Sequence, residues 1–512
     1  MTSAIRAQAK ATPDDAALVD DTGSRTWAEV ADDLERVAGA LLAAAPEETQ
    51  RVSVLGDNAI ATLETHAAAL TVGVGTVATS RQLRANELVD QYTDADVVCA
   101  VTGPTSLDAV QEAASAVGIK TVVVHGADSR PDAVGWQSWL ASAPPVPPDS
   151  GRRAPRPLLV YTSGTTGRAR GAEVRWTLDL PATAEDYVAA ITAESAFPPG
   201  PHLVVGPLQH NAPLTSIRHL LAAEQVVVLG KFDPEAVLRL IETHRVTSTV
   251  LVPTHMQRLL SLPQETRDRY DVSSLQLVSQ TGSACPAETK LAMIEWFGPV
   301  FVESYGGSES GTLCRIDSHE WLAHRGSVGR PRPPYEVVVL DENNQPLPAG
   351  EIGVLGFRAP EGRGPSYHAD SEKTAKAYLV PGVFTLGDVG FADDDGYVYI
   401  TDRIADMVVS GGVNLYPAES EKALSGHPDV AEVAVIGVPH ADLGESLLAL
   451  VVPTGAEPDP AELEEYARQR LAPYKVPRAY EFRKELIYNA MGKLDKKAMR
   501  ASYWSTDRTI TG

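Results

Sequence analysis

At 512 residues the chain is too long for one ordinary domain and long enough for two or more, each with an ample core. With 44% hydrophobic residues, no apolar run long enough to cross a bilayer and no apolar segment with a cleavage site near its start, it reads as a globular protein without membrane span or secretion signal. The 44 Lys and Arg against 67 Asp and Glu leave a net charge of −23, which excludes a general nucleic-acid binder yet allows a small phosphate site built from local amides and one or two cations.

In chain order, residues 27–46, "WAEVADDLERVAGALLAAAP", carry apolar positions at helical spacing, and "RVSVLGDN" follows as a buried strand and turn. Helical and strand signals alternate from about 60 to 130, with "DVVCAV" and "IKTVVVHG" as short buried strands. This predicts a layered α/β domain with a largely parallel sheet. Residues 142–157, "SAPPVPPDSGRRAPRP", form a proline-rich connector. Strands resume at "PLLVYTS", "HLVVGPL", "EQVVVLG", "STVLVP" and "LQLVSQTGSA". A β-hairpin region with its turn at Asn343 and Asn344 is expected in "YEVVVLDENNQPLPAGEIGVLGFRAP". After Asp402 a compact α/β unit of roughly a hundred residues is expected. The fold class expected is therefore α/β: a large N-terminal domain of layered subdomains over 1–402 and a small, mobile C-terminal domain over 403–512. Cys99, Cys285 and Cys314 are odd in number and widely spaced, which predicts reduced thiols in a cytoplasm rather than disulfides or a zinc site. "HEWLAH", with its histidines five apart, is not a metal motif, and "GVGTVA" follows a helical run, not the strand a dinucleotide fingerprint needs.

Chemistry concentrates first in "YTSGTTGRARG". Its glycines let backbone amides approach an anion and its hydroxyls add donors, while its position after an apolar strand suits a phosphate at a strand's carboxyl end. It is not a P-loop, and alone it reads as evenly as a surface linker. Other stretches decide. "ESYGGSES", "FTLGDVGFADDDGYVYITDR", "DRIADMVVSGGVNLYPAESEKAL" and "NAMGKLDKKAMR" follow in order over some 330 residues, with "NELVDQY", "PLQHNAP", "GSVGRP" and "AGEIGVLGF" in the intervals. Together they resemble the motifs of the adenylate-forming superfamily, in its acyl-CoA ligase branch, over almost the whole chain.

The resemblance implies a two-step reaction. A carboxylate attacks the α-phosphate of ATP to give an acyl adenylate and pyrophosphate, and a thiol then displaces AMP. It assigns the phosphate loop to Thr162, Ser163, Gly164, Thr165, Thr166, Gly167 and Arg170. Gly282, Ser283 and Ala284, with Ser304, Tyr305 and Gly306, would hold adenine. Ser308 keeps the hydroxyl of the family's threonine, and Glu309 would help hold Mg²⁺. Asp388 and Arg403 would reach the ribose hydroxyls. Lys493 would bridge the carboxylate and the α-phosphate, a cation stabilising the transition state. Ser410, Gly411 and Gly412 would line a pantetheine tunnel, with the hinge at Ala405 or its neighbour Asp406, and Lys475 and Arg478 could meet the phosphates of CoA. His210 would lie near the acid as a gate, or else be a core histidine. Taken alone, Lys493 would read as a solvated lysine, Asp388 as a turn residue and Cys285 as a small hydrophobe.

ATP, Mg²⁺ and coenzyme A are the implied cofactors, and a small carboxylic acid or its acyl adenylate is the partner. The acid leans towards bulky alicyclic or aromatic classes, for which Ala212, Leu214, Gly306 and Gly307 would suit a roomy pocket. The loop ends Ala169-Arg170-Gly171 where the family has proline-lysine-glycine, and a planar guanidinium does not replace a compact ammonium. A complete ligase is one reading. An enzyme with impaired adenylation that takes up a preformed adenylate is another, and transfer to a nucleophile other than CoA is a third. A non-catalytic nucleotide or acyl-CoA sensor is the reading from another class.

Overall fold

The computed structural model describes residues 2–127, 129–162, 170–177, 179–283, 285–360, 363–365, 371–403, 406–410, 413–440, 443–471, 473–488 and 494–504. The chain groups into two compact units, Met1–Ala323 with Glu361–Ala377, and His324–Pro360 with Tyr378–Gly512.

The first unit holds two sheets. In one the strands run in the order Val134–Gly135, Thr121–Val124, Val97–Thr102, Arg51–Leu55, Gly75–Thr79, Leu158–Thr162 and Arg170–Val174. All neighbours are parallel except the last pair, which is antiparallel with Thr162 opposite Arg170. Every residue of Arg51–Leu55 and of Gly75–Thr79 is buried, as expected of parallel strands covered on both faces. In the other sheet Gly311–Asp317, Phe301–Gly307, Leu277–Gln280, Ser248–Leu251, His202–Val204, Val226–Val228, Ala16–Asp20 and Gly23–Thr26 follow one another. Its six central strands are parallel, with an antiparallel strand at either end of that run.

The two sheets share one core. Helix Ile60–Thr71 is buried along its whole length and touches strands of both, and Leu18, Val54, Ala67, Leu140 and Val228 belong to one apolar cluster. Helix Trp27–Ala44 shows why these segments fold as they do. Thr26 and Glu29 form a capping box: the Glu29 N–H donates to the Thr26 hydroxyl at 3.3 Å and the Thr26 N–H donates to Glu29 Oε2 at 2.8 Å. Trp27, Val30, Leu34, Val37 and Leu41 then fall on one buried stripe. The proline-rich stretch expected as a connector carries only a short 3-10 turn, Ser150–Arg152.

The second unit also holds two sheets. Glu336–Leu340 pairs with Gly353–Arg358, which pairs with Val383–Ala392, and the last is flanked by Tyr378–Val380 and Val398–Arg403, all antiparallel. The turn expected at Asn343 and Asn344 is present, with Asn344 at φ +57° and Asp341 Oδ1 accepting from the N–H groups of Asn343 and Gln345. The other sheet joins Val413–Leu415, Val408–Ser410, Gly444–Pro453 and Val430–His440, with Ala479–Phe482 parallel to Gly444–Pro453. Along its longest strand Val433 and Val435 enter one core with Leu424 and Leu463, while Ala434 and Ile436 enter another with Leu486 and Met499. Strict alternation thus buries both faces of a short sheet.

Candidate active site

Because the strands of a parallel run share a direction, their carboxyl ends lie along one edge, where ligands of open α/β sheets bind. In the first unit Gly282 follows strand Leu277–Gln280, and Ser304, Tyr305 and Gly306 end strand Phe301–Gly307 beside it. The Thr281 hydroxyl donates to the Ser304 carbonyl at 3.0 Å and clips the two ends together. The structure therefore brings the two predicted adenine-holding segments side by side. Gly282, at φ +95°, takes a backbone conformation that glycine adopts freely.

A tight hairpin follows. The Gly307 N–H donates to the Ser310 hydroxyl at 2.9 Å, and the Ser310 N–H returns to the Gly307 carbonyl at 3.3 Å. Ser308 and Glu309 sit half-buried at its tip. A Cβ on Gly306 would collide with the carbonyl oxygen of Gly311, and one on Gly307 would stand 2.8 Å from Glu309 Oε2. Gly306 is therefore set by the close passage of the hairpin strands, which corrects its reading as space for a roomy acid pocket, whereas at Gly307 the neighbour is the end of a flexible side chain. Leu214 is corrected likewise: it is fully buried in the core shared by the two sheets.

His210 caps the short helix Asn211–Leu214, on the loop beyond strand His202–Val204. It is half-buried, and the Gln209 side-chain amide lies 3.4 Å from its Nε2. Gln209 Oε1 accepts the backbone N–H of Arg81 at 3.3 Å. Asn58 fixes the same loop from the other sheet: its Nδ2 donates to the carbonyls of Leu229 at 2.7 Å and Gly206 at 3.2 Å, and its Oδ1 accepts from the Leu208 N–H at 3.0 Å. Gly56 lets this approach occur, since a Cβ there would meet Gln209 N at 2.6 Å. The carboxyl edges of both sheets thus meet at the His210 loop. Trp176, just beyond strand Arg170–Val174, donates through its indole N–H to Asn211 Oδ1 at 3.2 Å.

The phosphate-loop residues Ser163, Gly164, Thr165, Thr166 and Gly167 lie outside the described residues. Thr162 and Arg170 face each other at the ends of the two strands that flank it. Tyr161, one residue earlier, donates its hydroxyl to Asp94 Oδ2 at 2.6 Å.

In the second unit Asp388 is buried and stands directly opposite Arg403 in the antiparallel register, so the two predicted ribose ligands are neighbours. The left-handed Gly387 (φ +80°), whose N–H donates to the Thr385 hydroxyl at 2.9 Å, precedes Asp388. Ser410 ends strand Val408–Ser410, while Ala284, Ala405, Gly411, Gly412 and Lys493 lie outside the described residues. The residues flanking the Lys493 segment are tied down: Tyr488 and Leu494 form a β-bridge, and Lys496 Nζ and Arg500 reach Glu421 at 2.8 Å and Asp406 at 3.2 Å. Lys475 is bound to Glu419 at 2.7 Å.

All three cysteines are free. Burial, the larger cause, and the nearby Glu303 carboxylate push the Cys285 thiol up to about 12, so it stays protonated and is no nucleophile. Sequence reasoning missed Gln209, Asn58 and the buried Lys290–Glu303 pair. Only the polar side chains of Gln209 and Asn58 at strand-end loops could have drawn notice, and nothing local marks Lys290 as buried.

Residues 5–366 match the AMP-binding enzyme family, and residues 419–493 match the AMP-binding enzyme C-terminal domain. A medium/long-chain-fatty-acid–CoA ligase of Mycobacterium tuberculosis is 35% identical over 364 residues, covering 68% of this chain but only 61% of that relative's length. A feruloyl-CoA synthase of an Amycolatopsis species is 33% identical over 488 residues, 93% of this chain and 94% of its own. The structure of an amide bond synthetase from Marinactinospora thermotolerans matches with a TM-score of 0.81 at 28% identity, over 98% of this chain and 99% of that one. Among the described residues no helix is long and apolar enough to cross a membrane. The ordered motifs and both family segments agree: the chain belongs to the adenylate-forming AMP-binding enzymes, alongside the acyl-CoA ligases.

Proposed function

We propose that this protein is an ATP-dependent acid–thiol ligase, an acyl-CoA synthetase. The observation that carries the reading is the carboxyl-edge arrangement of the first unit, where Gly282 and the Ser304–Tyr305–Gly306 segment are clipped together beside the Glu309 hairpin. In the first step an oxygen of the acid attacks the α-phosphorus of ATP, the bond to the bridging oxygen breaks, and pyrophosphate leaves. In the second a thiolate sulfur attacks the acyl carbon, the bond to the phosphate oxygen breaks, and AMP leaves. Tyr305 offers a ring face to adenine, Asp388 accepts from the ribose hydroxyls, and Lys493 stabilises charge on the acid and α-phosphate as they join.

Mg²⁺ fits this site. Glu309 offers a half-buried carboxylate at a hairpin tip. One carboxylate beside phosphate oxygens and water is how Mg²⁺ is commonly held, and it would neutralise charge between phosphates. Glu309 would hold it.

The C-terminal domain of the proposal begins near residue 403. The change from one sheet to the next between strands Val398–Arg403 and Val408–Ser410 supports that division, and the Ala418 N–H donating to Asp402 Oδ2 at 3.0 Å ties helix Pro417–Leu424 to the last strand before it. The cytoplasm is the compartment proposed, where ATP and CoA are abundant and thiols stay reduced.

For the acid, an aromatic or bulky alicyclic class is proposed, supported on the aromatic side by the near full-length similarity to a feruloyl-CoA synthase. A second reading, transfer of the acyl group to an amine, is favoured by the similarity to an amide bond synthetase. The deciding experiment pairs ATP–pyrophosphate exchange across a panel of carboxylic acids with thioester formation from synthetic acyl adenylates. Exchange with one class of acid and thioester from its adenylate are expected. Thioester without exchange would mean that the enzyme only consumes adenylates, and amide without thioester would replace CoA by an amine.

A further inference from the structure

Behind the strand that carries Tyr305 lies a buried ion pair. Lys290, on helix Ala287–Phe297, is fully buried, and its Nζ donates to Glu303 Oε2 at 2.5 Å. The same ammonium stands 4.7 Å from the centre of the Trp321 ring, on helix Ser318–Ala323. Ser318 holds that helix to the start of the strand, its hydroxyl accepting the Phe301 N–H at 2.9 Å. Removing a carboxylate and an ammonium from water costs several kcal/mol for each ion, and an apolar pair of similar volume would often be as stable or more so. What such a pair supplies that leucine or methionine cannot is a fixed, directional link.

That link spans two particular segments. Glu303 lies two residues before Tyr305 on one strand, so the two side chains share a face. Lys290 opens from the helix that directly follows the Gly282–Cys285 loop. Between them Gln280, fully buried and in register with Glu303, donates to the Ser283 carbonyl at 3.5 Å, and the half-buried Cys285 thiol lies within the field of both ions. The pair therefore joins the helix that follows Gly282 and Ser283 to the strand that carries Tyr305. We infer that Lys290 and Glu303 are positioning residues of the nucleotide site, an internal tether that fixes the width of the adenine slot. This rests on the ligase reading above, which places adenine between those segments.

The test compares Lys290→Met, Glu303→Gln and the double variant Lys290→Met/Glu303→Leu, in which packing is kept without any buried charge. Three quantities are read: the thermal midpoint, the Kd for ATP, and the KM for the acid. The single variants should bind ATP about tenfold more weakly with the KM for the acid within twofold of the wild type. The double variant should recover the thermal midpoint while ATP affinity stays about tenfold down. Recovery of both in the double variant would overturn the proposal and leave the pair a matter of stability alone, as would equal losses for ATP and acid. If the single variants do not fold, the double variant decides by the same criterion. Wild-type protein that binds no ATP would sink the ligase reading itself and the slot with it, an outcome distinct from either result with the variants.

Discussion

The side-chain amide of Gln209 points its nitrogen at Nε2 of His210, 3.4 Å away, because its oxygen is already taken by the Arg81 N–H. A backbone N–H can only donate, so Gln209 Oε1 must face Arg81 and the NH₂ must face the imidazole. His210 then accepts at Nε2, and its neutral form carries the proton on Nδ1.

This fixes a prediction for acid use. Gln209→Glu puts a carboxylate, which can only accept, where a donor stood, so the imidazole must present a proton at Nε2 instead of a lone pair. kcat/KM for the carboxylic acid should change by about tenfold or more. Gln209→Met should lower kcat/KM for the acid roughly tenfold, about 1.4 kcal/mol. An unchanged kcat/KM for the acid in Gln209→Glu would show that His210 takes no part.

Lys493 and Arg170 give a pair of predictions that separate the two half-reactions. Lys493→Ala should reduce ATP–pyrophosphate exchange by at least about a hundredfold, in the range seen for removal of a group that stabilises developing charge. Thioester formation from a supplied adenylate should fall by less than about threefold; equal loss in both assays would refute its assignment to the first step. Arg170→Lys should leave exchange equal or raise it. A collapse of exchange would show that the guanidinium fork is itself required.

Gly306→Ala should be costly out of proportion to one methyl group. Its Cβ would be driven into the Gly311 carbonyl, and backbone on the far side of a hairpin cannot step aside as a flexible side chain does. A loss of at least about 2 kcal/mol in unfolding experiments and a weakened Kd for ATP are expected together. Full stability in this variant would contradict the hairpin geometry.

Stability should depend on pH through buried groups of opposite sign. Burial pushes the His66 imidazole down to about 3, and burial followed by the nearby Arg258 charge pushes His255 to about 4. An unfolded chain takes up these protons near pH 6.5, whereas the folded chain refuses them until far lower. Their contribution is whole above pH 6.5 and is lost as pH falls towards 4. Glu64 works the other way: burial, the larger cause, and the Asp33 charge raise its carboxyl well above 4.5, so its contribution is whole below that value and is lost as pH rises. The unfolding free energy should fall from pH 7 to pH 5, and less steeply in His66→Gln, by up to about 1.4 kcal/mol per pH unit. Glu64→Gln should gain on the wild type as pH is raised to 8. A slope unaltered by His66→Gln would mean that the imidazole titrates normally in the fold.

Which parts of this were legible beforehand follows from what is local. The helical pattern from Trp27, the buried strands at Arg51–Leu55 and Val97–Thr102, and the turn at Asn344 are each written in a few adjacent residues. The pairing of Asp388 with Arg403 needs strand register, yet the motif order already put both in one ribose-binding role. By contrast, Gly306 gives no hint that Gly311 will pass behind it, and Leu214 looks as suited to a pocket as to a core. Lys290 is the hardest case: lysine is rarely buried, and its partner Glu303 lies 13 residues on, across a helix and a strand. Reasoning from sequence failed where the deciding neighbour came from another element.

The re-entrant course of the chain has a practical consequence for dissecting it. The first unit takes residues 361–377 back after the chain has left at residue 323, and Arg363 of that segment holds both carboxylate oxygens of Asp179, at 2.5 and 2.7 Å. No single cut near residue 323 can therefore release an intact first unit, because the fragment would lack its returning stretch. A cut beyond residue 377 fares no better, since it leaves residues 324–360 of the second unit, with strand Gly353–Arg358 that pairs with Val383–Ala392, on the first fragment. A protease that nicks the chain between 324 and 360 should therefore leave two fragments that travel together until they are denatured.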